Sequence, residues 1–200
     1  ELILGERCRQ LGDGAFEGCD SLETVQWLGD TQTVGDAAFA QCKKLEWLYF
    51  GDGTGQTITT TGNRTFENCT ELKMIYLWAS VKEIGDSCFR GCSNVRASIN
   101  EQDVPGLQKI GSYAFADCTN LAMNLTWFTG LTTLGEGAFL NCSYLKSTEI
   151  PEKVQSIPDY CFAGCADLKT FAIRNTSEIK SIGKGAFSGC TKLERVMNME

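Results

Sequence analysis

Apolar and polar residues alternate in several short stretches of the chain. Leu22-Glu-Thr-Val25-Gln-Trp27, Leu45-Glu-Trp-Leu48-Tyr-Phe50, Leu72-Lys-Met-Ile75-Tyr-Leu77 and Leu168-Lys-Thr-Phe171-Ala-Ile173 share this form. A period of two predicts strands with one buried face. Each stretch follows one phrase, which occurs eight times: LGDGAFEGCDSL, VGDAAFAQCKKL, TGNRTFENCTEL, IGDSCFRGCSNV, IGSYAFADCTNL, LGEGAFLNCSYL, IPDYCFAGCADL and IGKGAFSGCTKL. Its phenylalanines are Phe16, Phe39, Phe66, Phe89, Phe115, Phe139, Phe162 and Phe187, spaced by 23, 27, 23, 26, 24, 23 and 25 residues. A period of about 20–29 residues marks stacked repeats, each burying its apolar face only against its neighbours.

The other positions of the phrase have their own physical reasons. Asp13, Asp36, Asn63, Asp86, Ser112 and Asp159 are good helix N-cap residues, predicting a short helical turn that carries phenylalanine into the core. Two residues after phenylalanine stand Gly18, Gln41, Asn68, Gly91, Asp117, Asn141, Gly164 and Gly189; all but Gln41 are types that tolerate the left-handed conformation ending a helix. Pro158 replaces the glycine that usually precedes the cap, so that site need not be left-handed. Stacked at about 4.8 Å, the strands of eight repeats would form a parallel sheet some 35–40 Å long.

The phrase Ile-Gly-x-x-Ala-Phe-x-x-Cys-x-x-Leu resembles the BspA-like class of leucine-rich repeats over nearly the whole chain. The resemblance implies a right-handed parallel solenoid. It also implies adhesion at the surface of bacteria or protists, and the family offers no shared catalytic motif. The expected fold is therefore an α/β repeat solenoid, a leucine-rich-repeat stack with a parallel sheet on one face and short helical turns on the other. Residues 1–200 form a single solenoid of about eight repeats. Leu2-Ile3-Leu4 reads as the strand of a repeat cut short, and Val196-Met197 is followed by no polar cap, so the natural protein is expected to continue beyond one or both ends.

Composition narrows the function. Hydrophobic residues make up 42% of the chain and only three are proline, enough for a continuous core. A net charge of −7 disfavours nucleic acid and anionic lipid as partners. No stretch approaches the roughly 18 apolar residues of a membrane span, so direct membrane insertion is not expected. Histidine is absent, which removes the commonest general base and the commonest metal ligand. No catalytic, metal-binding or cofactor-binding residue is assigned. Of the eleven cysteines, Cys19, Cys42, Cys69, Cys92, Cys118, Cys142, Cys165 and Cys190 recur with the repeat and read as a ladder of small buried hydrophobes with weak S–H donors. Cys88 and Cys161 replace the alanine before phenylalanine, and Cys8 lies in an incomplete opening repeat.

The residues between the inward anchors are the informative ones. Alternation from the leucines sets Trp47, Tyr49, Met74, Tyr76, Trp78, Ala97, Ile99, Met123, Leu125 and Trp127 outward, as one apolar and aromatic stripe across repeats 2 to 5. Large exposed apolar patches rich in Trp, Tyr and Met usually have a partner. Ser147, Glu149, Thr170, Ala172, Arg174, Arg195 and Met197, on the same face of repeats 6 to 8, read as solvated surface. The expected function is a non-enzymatic protein-binding or adhesion module at the cell surface or secreted, with a surface or matrix protein as partner. The alternative is a scaffold subunit of a cytoplasmic or organellar assembly. Neither reading fixes an oligomeric state. Triplets at Asn63, Asn68, Asn124, Asn141 and Asn175 are possible glycosylation acceptors, although the turn already accounts for the first two and for Asn141.

Overall fold

In the computed structural model the chain winds into stacked coils, described here for all residues except Asp30, 51–57, 76–79, 97–103, 175–178 and Glu200. The side chains of Phe50, Arg174 and residues 197–199 are likewise outside the description. One face carries parallel strands of three to five residues. β1 (Leu2–Leu4), β3 (Thr24–Trp27) and β5 (Trp47–Phe50) form one ribbon, and β9 (Ser147–Ile150), β11 (Thr170–Arg174) and β13 (Arg195–Met199) form another. Equivalent residues pair, as in Val25↔Leu48 and Phe171↔Val196, so the register advances by one repeat at each step.

A second face is built from two-residue strands before each phrase. These are β2 (Gln10–Leu11), β4 (Thr33–Val34), β6 (Glu83–Ile84), β7 (Lys109–Ile110), β8 (Thr133–Leu134), β10 (Ser156–Ile157) and β12 (Ser181–Ile182), with bridges through Thr60 and Thr61. Glycines after these strands donate their N–H across the ladder, Gly35 to Leu11 O, Gly111 to Ile84 O and Gly183 to Ile157 O, and Gly85 donates to Thr61 Oγ1. Pro158 has no N–H to give, and the ladder breaks there between β8 and β10. None of the glycines at this position has a positive φ, as the proline foretells.

The third face corrects the expectation of helical turns. Among the described residues there is no α-helix, and the single 3-10 turn is Leu125–Trp127, on another face. The phrase instead folds as overlapping turns, with Ala15 N–H donating to Gly12 O, Glu17 to Gly14 O and Cys19 to Phe16 O. The intervening N–H groups of Gly14, Phe16 and Gly18 donate to Asp36, Ala38 and Ala40 of the next coil. A helix would need those groups for its own carbonyls. It is also barred by a second left-handed residue two places before phenylalanine, at Gly14, Ala37, Arg64, Ser87, Tyr113, Gly137, Tyr160 and Gly185. The left-handed residues two places after phenylalanine are present in all eight repeats, Gln41 included.

The N-cap assignment is corrected with the helix. Asp13 Oδ1 accepts from the N–H of Asp36 at 2.8 Å, Asp36 from Asn63 at 2.7 Å, Asn63 from Asp86 at 2.9 Å, and Asp86 from Ser112 at 2.8 Å. Each side chain thus ties its own turn to the equivalent residue of the next.

The core is a spine. Successive phenylalanine rings stack with centroids 5.3–5.7 Å apart and planes within 10°. Such offset contacts add to the area they bury. Beside them run the cysteines. The Cys69, Cys92, Cys118 and Cys142 thiols each donate at 3.1 Å to the phenylalanine carbonyl of the coil before. Cys19 is exposed and Cys8 and Cys190 are half-buried, while the other eight cysteines are buried. Desolvation pushes the Cys88 and Cys165 thiols up to about 12, which leaves them protonated and unreactive.

Candidate interaction surface

On β5 the inward positions are taken by Leu48, and Trp47 and Tyr49 stand between the anchors on the outer side, as the alternation requires. Their rings lie 6.4 Å apart at 23°, and Tyr49 is 51% exposed. Trp47 is half-buried because Lys73 of the next coil lies over its ring, 5.1 Å from the centroid. Lys73 also pairs with Glu46, which holds the Glu46 carboxyl below its usual range. Met74, one repeat on, is half-buried at the equivalent of Trp47. Tyr76, Trp78, Ala97 and Ile99 lie outside the described residues, as does the Asn175 triplet.

Repeat 5 corrects the stripe. Met123 and Leu125 are 3% and 1% exposed and belong to the core, and Trp127 is half-buried against it. The cause is Asn124, which occupies the position where Val25, Leu48, Ile75 and Phe171 point inward. An amide there would be buried without water, so the strand gives way. Asn124 turns outward, its side-chain oxygen accepts from Thr126 N–H at 3.1 Å, and a 3-10 turn follows. Met123, Leu125 and Phe128 then fill the interior.

This interruption opens a groove of about 460 Å³ where repeats 6 and 7 were expected to be ordinary surface. Trp127 and Tyr144 line it together with Met123, Lys146, Glu149 and Ala172. Thr170 pairs with Ser147 and Ala172 with Glu149, so three of these four lining side chains are small. The Lys146 ammonium stands 4.4 Å from the centre of the Tyr144 ring. Tyr144, 44% exposed, escapes the alternation argument because it precedes the leucine of its phrase. A signal was present nonetheless, since the other repeats hold only polar residues there: Ser21, Lys44, Glu71, Asn94, Asn120, Asp167 and Lys192. A second groove, of about 440 Å³, lies between Lys73, Met74, Asn94 and Arg96.

Coils of this kind, with a parallel sheet on one face and a phenylalanine–cysteine–leucine spine, define a parallel repeat solenoid. The sequence matches the BspA-type leucine-rich repeat region over residues 1–122 and again over 95–199. The chain belongs to that family. Solved structures with the same fold include the leucine-rich repeat protein of Treponema pallidum, at 22% identity and a TM-score of 0.58, covering 96% of this chain and 77% of that one. A leucine-rich repeat protein from Bacteroides ovatus matches at 24% identity and 0.59, over 92% of this chain and 57% of its own. The pneumococcal vaccine antigen PcpA matches at 16% and 0.57, over 98% and 56%. The chain thus spans little more than half the length of the last two. No curated protein sequence matches it.

Proposed function

We propose that the chain is a non-enzymatic binding module whose parallel-strand face docks a protein partner, serving adhesion at a cell surface or as a secreted protein. The observation that carries this reading is the pair of Trp47 and Tyr49, set outward on β5 above a fully formed core. Aromatic side chains left in water on a rigid face recover roughly 25 cal/mol per Å² when a partner covers them. The family fits a surface role, as does the likeness of fold to a pneumococcal vaccine antigen. The cysteine ladder is equally suited to a scaffold in a reducing interior, and the partner separates the two.

The test is binding of the chain to a panel of immobilised extracellular-matrix and cell-surface proteins. Trp47→Ala with Tyr49→Ala should weaken the binding seen by about tenfold or more, as loss of central aromatic anchors does. The urea midpoint should stay within the small range expected of surface changes. Unaltered binding by the folded double variant would remove this face as the site.

A further inference from the structure

Charge is segregated around the coil in a way the net value hides. The eight turn phrases carry eleven carboxylates and six cations. The position directly after the strand-leading leucine, or valine in the fourth repeat, holds Glu23, Glu46, Lys73, Arg96, Ala122, Lys146, Lys169 and Glu194. Backbone bonds stack these residues, Lys73 N–H to Glu46 O, Arg96 to Lys73 O, Lys169 to Lys146 O and Glu194 to Lys169 O. Two pairs of cations therefore stand at one position of the repeat bordering the sheet face, Lys73 with Arg96 and Lys146 with Lys169, on either side of the uncharged Ala122 and bounded by Glu46 and Glu194. Arg96, Lys146 and Lys169 are exposed and Lys73 is half-buried.

Both grooves open on these cations, one beside Lys73 and Arg96, the other beside Lys146. Carboxylates already settle against them. Lys73 holds Glu46 in its charged form, and Asp167, bound by Lys192 at 2.5 Å, is further stabilised by Lys146 and Lys169. A long polyanion is a poorer fit, since beyond the two pairs it would meet a chain of net charge −7.

We propose that the face receives a short acidic segment of a protein partner, laid across the strands with carboxylates along Lys73, Arg96, Lys146 and Lys169 and apolar side chains in the two grooves. This rests on the reading of the strand face as the docking surface. Four steps of about 4.8 Å separate Lys73 from Lys169, the reach of roughly six extended residues.

The experiment measures fluorescence anisotropy of a labelled ten-residue peptide alternating Glu with Phe, against its Lys/Phe counterpart and a heparin fragment. The acidic peptide should bind about tenfold or more tightly than the basic one, and its affinity should fall as salt rises. Arg96→Glu with Lys169→Glu should lower that affinity by about tenfold at unchanged urea midpoint, whereas Lys184→Glu on the turn face should change it less than about twofold. Equal binding of the two peptides, or tighter binding of heparin, overturns the proposal. No binding of the acidic peptide, with the panel partner still lost in the Trp47/Tyr49 variant, overturns the charge assignment and leaves the docking face standing. If the variant also keeps its partner, both fall.

Discussion

The recurring cysteine acts through its burial. A thiol small enough to lie beside the stacked phenylalanine rings can still donate to the carbonyl behind it, as Cys165 does to Phe139 O at 3.2 Å. Serine would offer the stronger donor but a larger desolvation penalty, and alanine would leave a void. Burial raises Cys42 from 9.0 to about 11, and Cys88 and Cys165 to about 12. The folded chain thus holds protons that the unfolded chain releases. Their stabilisation is complete below about pH 9 and is lost as pH climbs through 9 toward 11–12. The urea midpoint should be flat from about pH 7 to 8.5 and fall steadily above 9, less steeply in Cys165→Ala. A midpoint unchanged to about pH 11 would contradict the buried ladder.

At the scale of the element, the sequence speaks clearly where a side chain faces its own repeat. Phenylalanine, cysteine and leucine columns, the strands after them and the left-handed residue after phenylalanine were all legible. What could not be read was bonding to a coil 23–27 residues away. A cap-like aspartate and a left-handed terminator describe a helix equally well when the partner of each N–H is unseen. The left-handed residue before phenylalanine is hidden for another reason. Ala37, Arg64, Ser87, Tyr113 and Tyr160 carry no conformational signature, and the stacked coils impose the strain on them. The glycine two places earlier in the chain than Ala37 is needed for space instead. A Cβ on Gly35 would lie 2.5 Å from Asp13 Oδ1 and 2.6 Å from Asp13 N, whereas Gly12 has nothing within 4 Å. Gly35→Ala should therefore cost about 1–3 kcal/mol by urea denaturation. Gly12→Ala should be nearly neutral, and equal losses would mean that the coils are not so closely apposed.

Across the whole molecule, one column of residues per position turns a weak local preference into a surface. Trp47 and Tyr49 were placed outward by alternation, and the structure keeps them there. Met123 and Leu125 were misplaced because a single Asn124 redirects the strand of repeat 5, which alternation counted from Leu121 cannot register. The resulting step moves the recessed part of the face toward Tyr144 and Lys146, so the candidate site is longer than the sequence suggested and changes character along its length. Aromatic residues on opposite faces provide their own controls. Tyr113 and Tyr160 sit on the turn face, with Tyr113 donating to Glu136 at 2.5 Å. Hydroxyl-radical footprinting of the intact chain, with and without its captured partner, reads all of them at once. Binding through the strand face predicts protection of Trp47, Tyr49, Trp127 and Tyr144 with Tyr113 and Tyr160 unchanged; protection of Tyr113 and Tyr160 with the strand-face aromatics still reactive would contradict it.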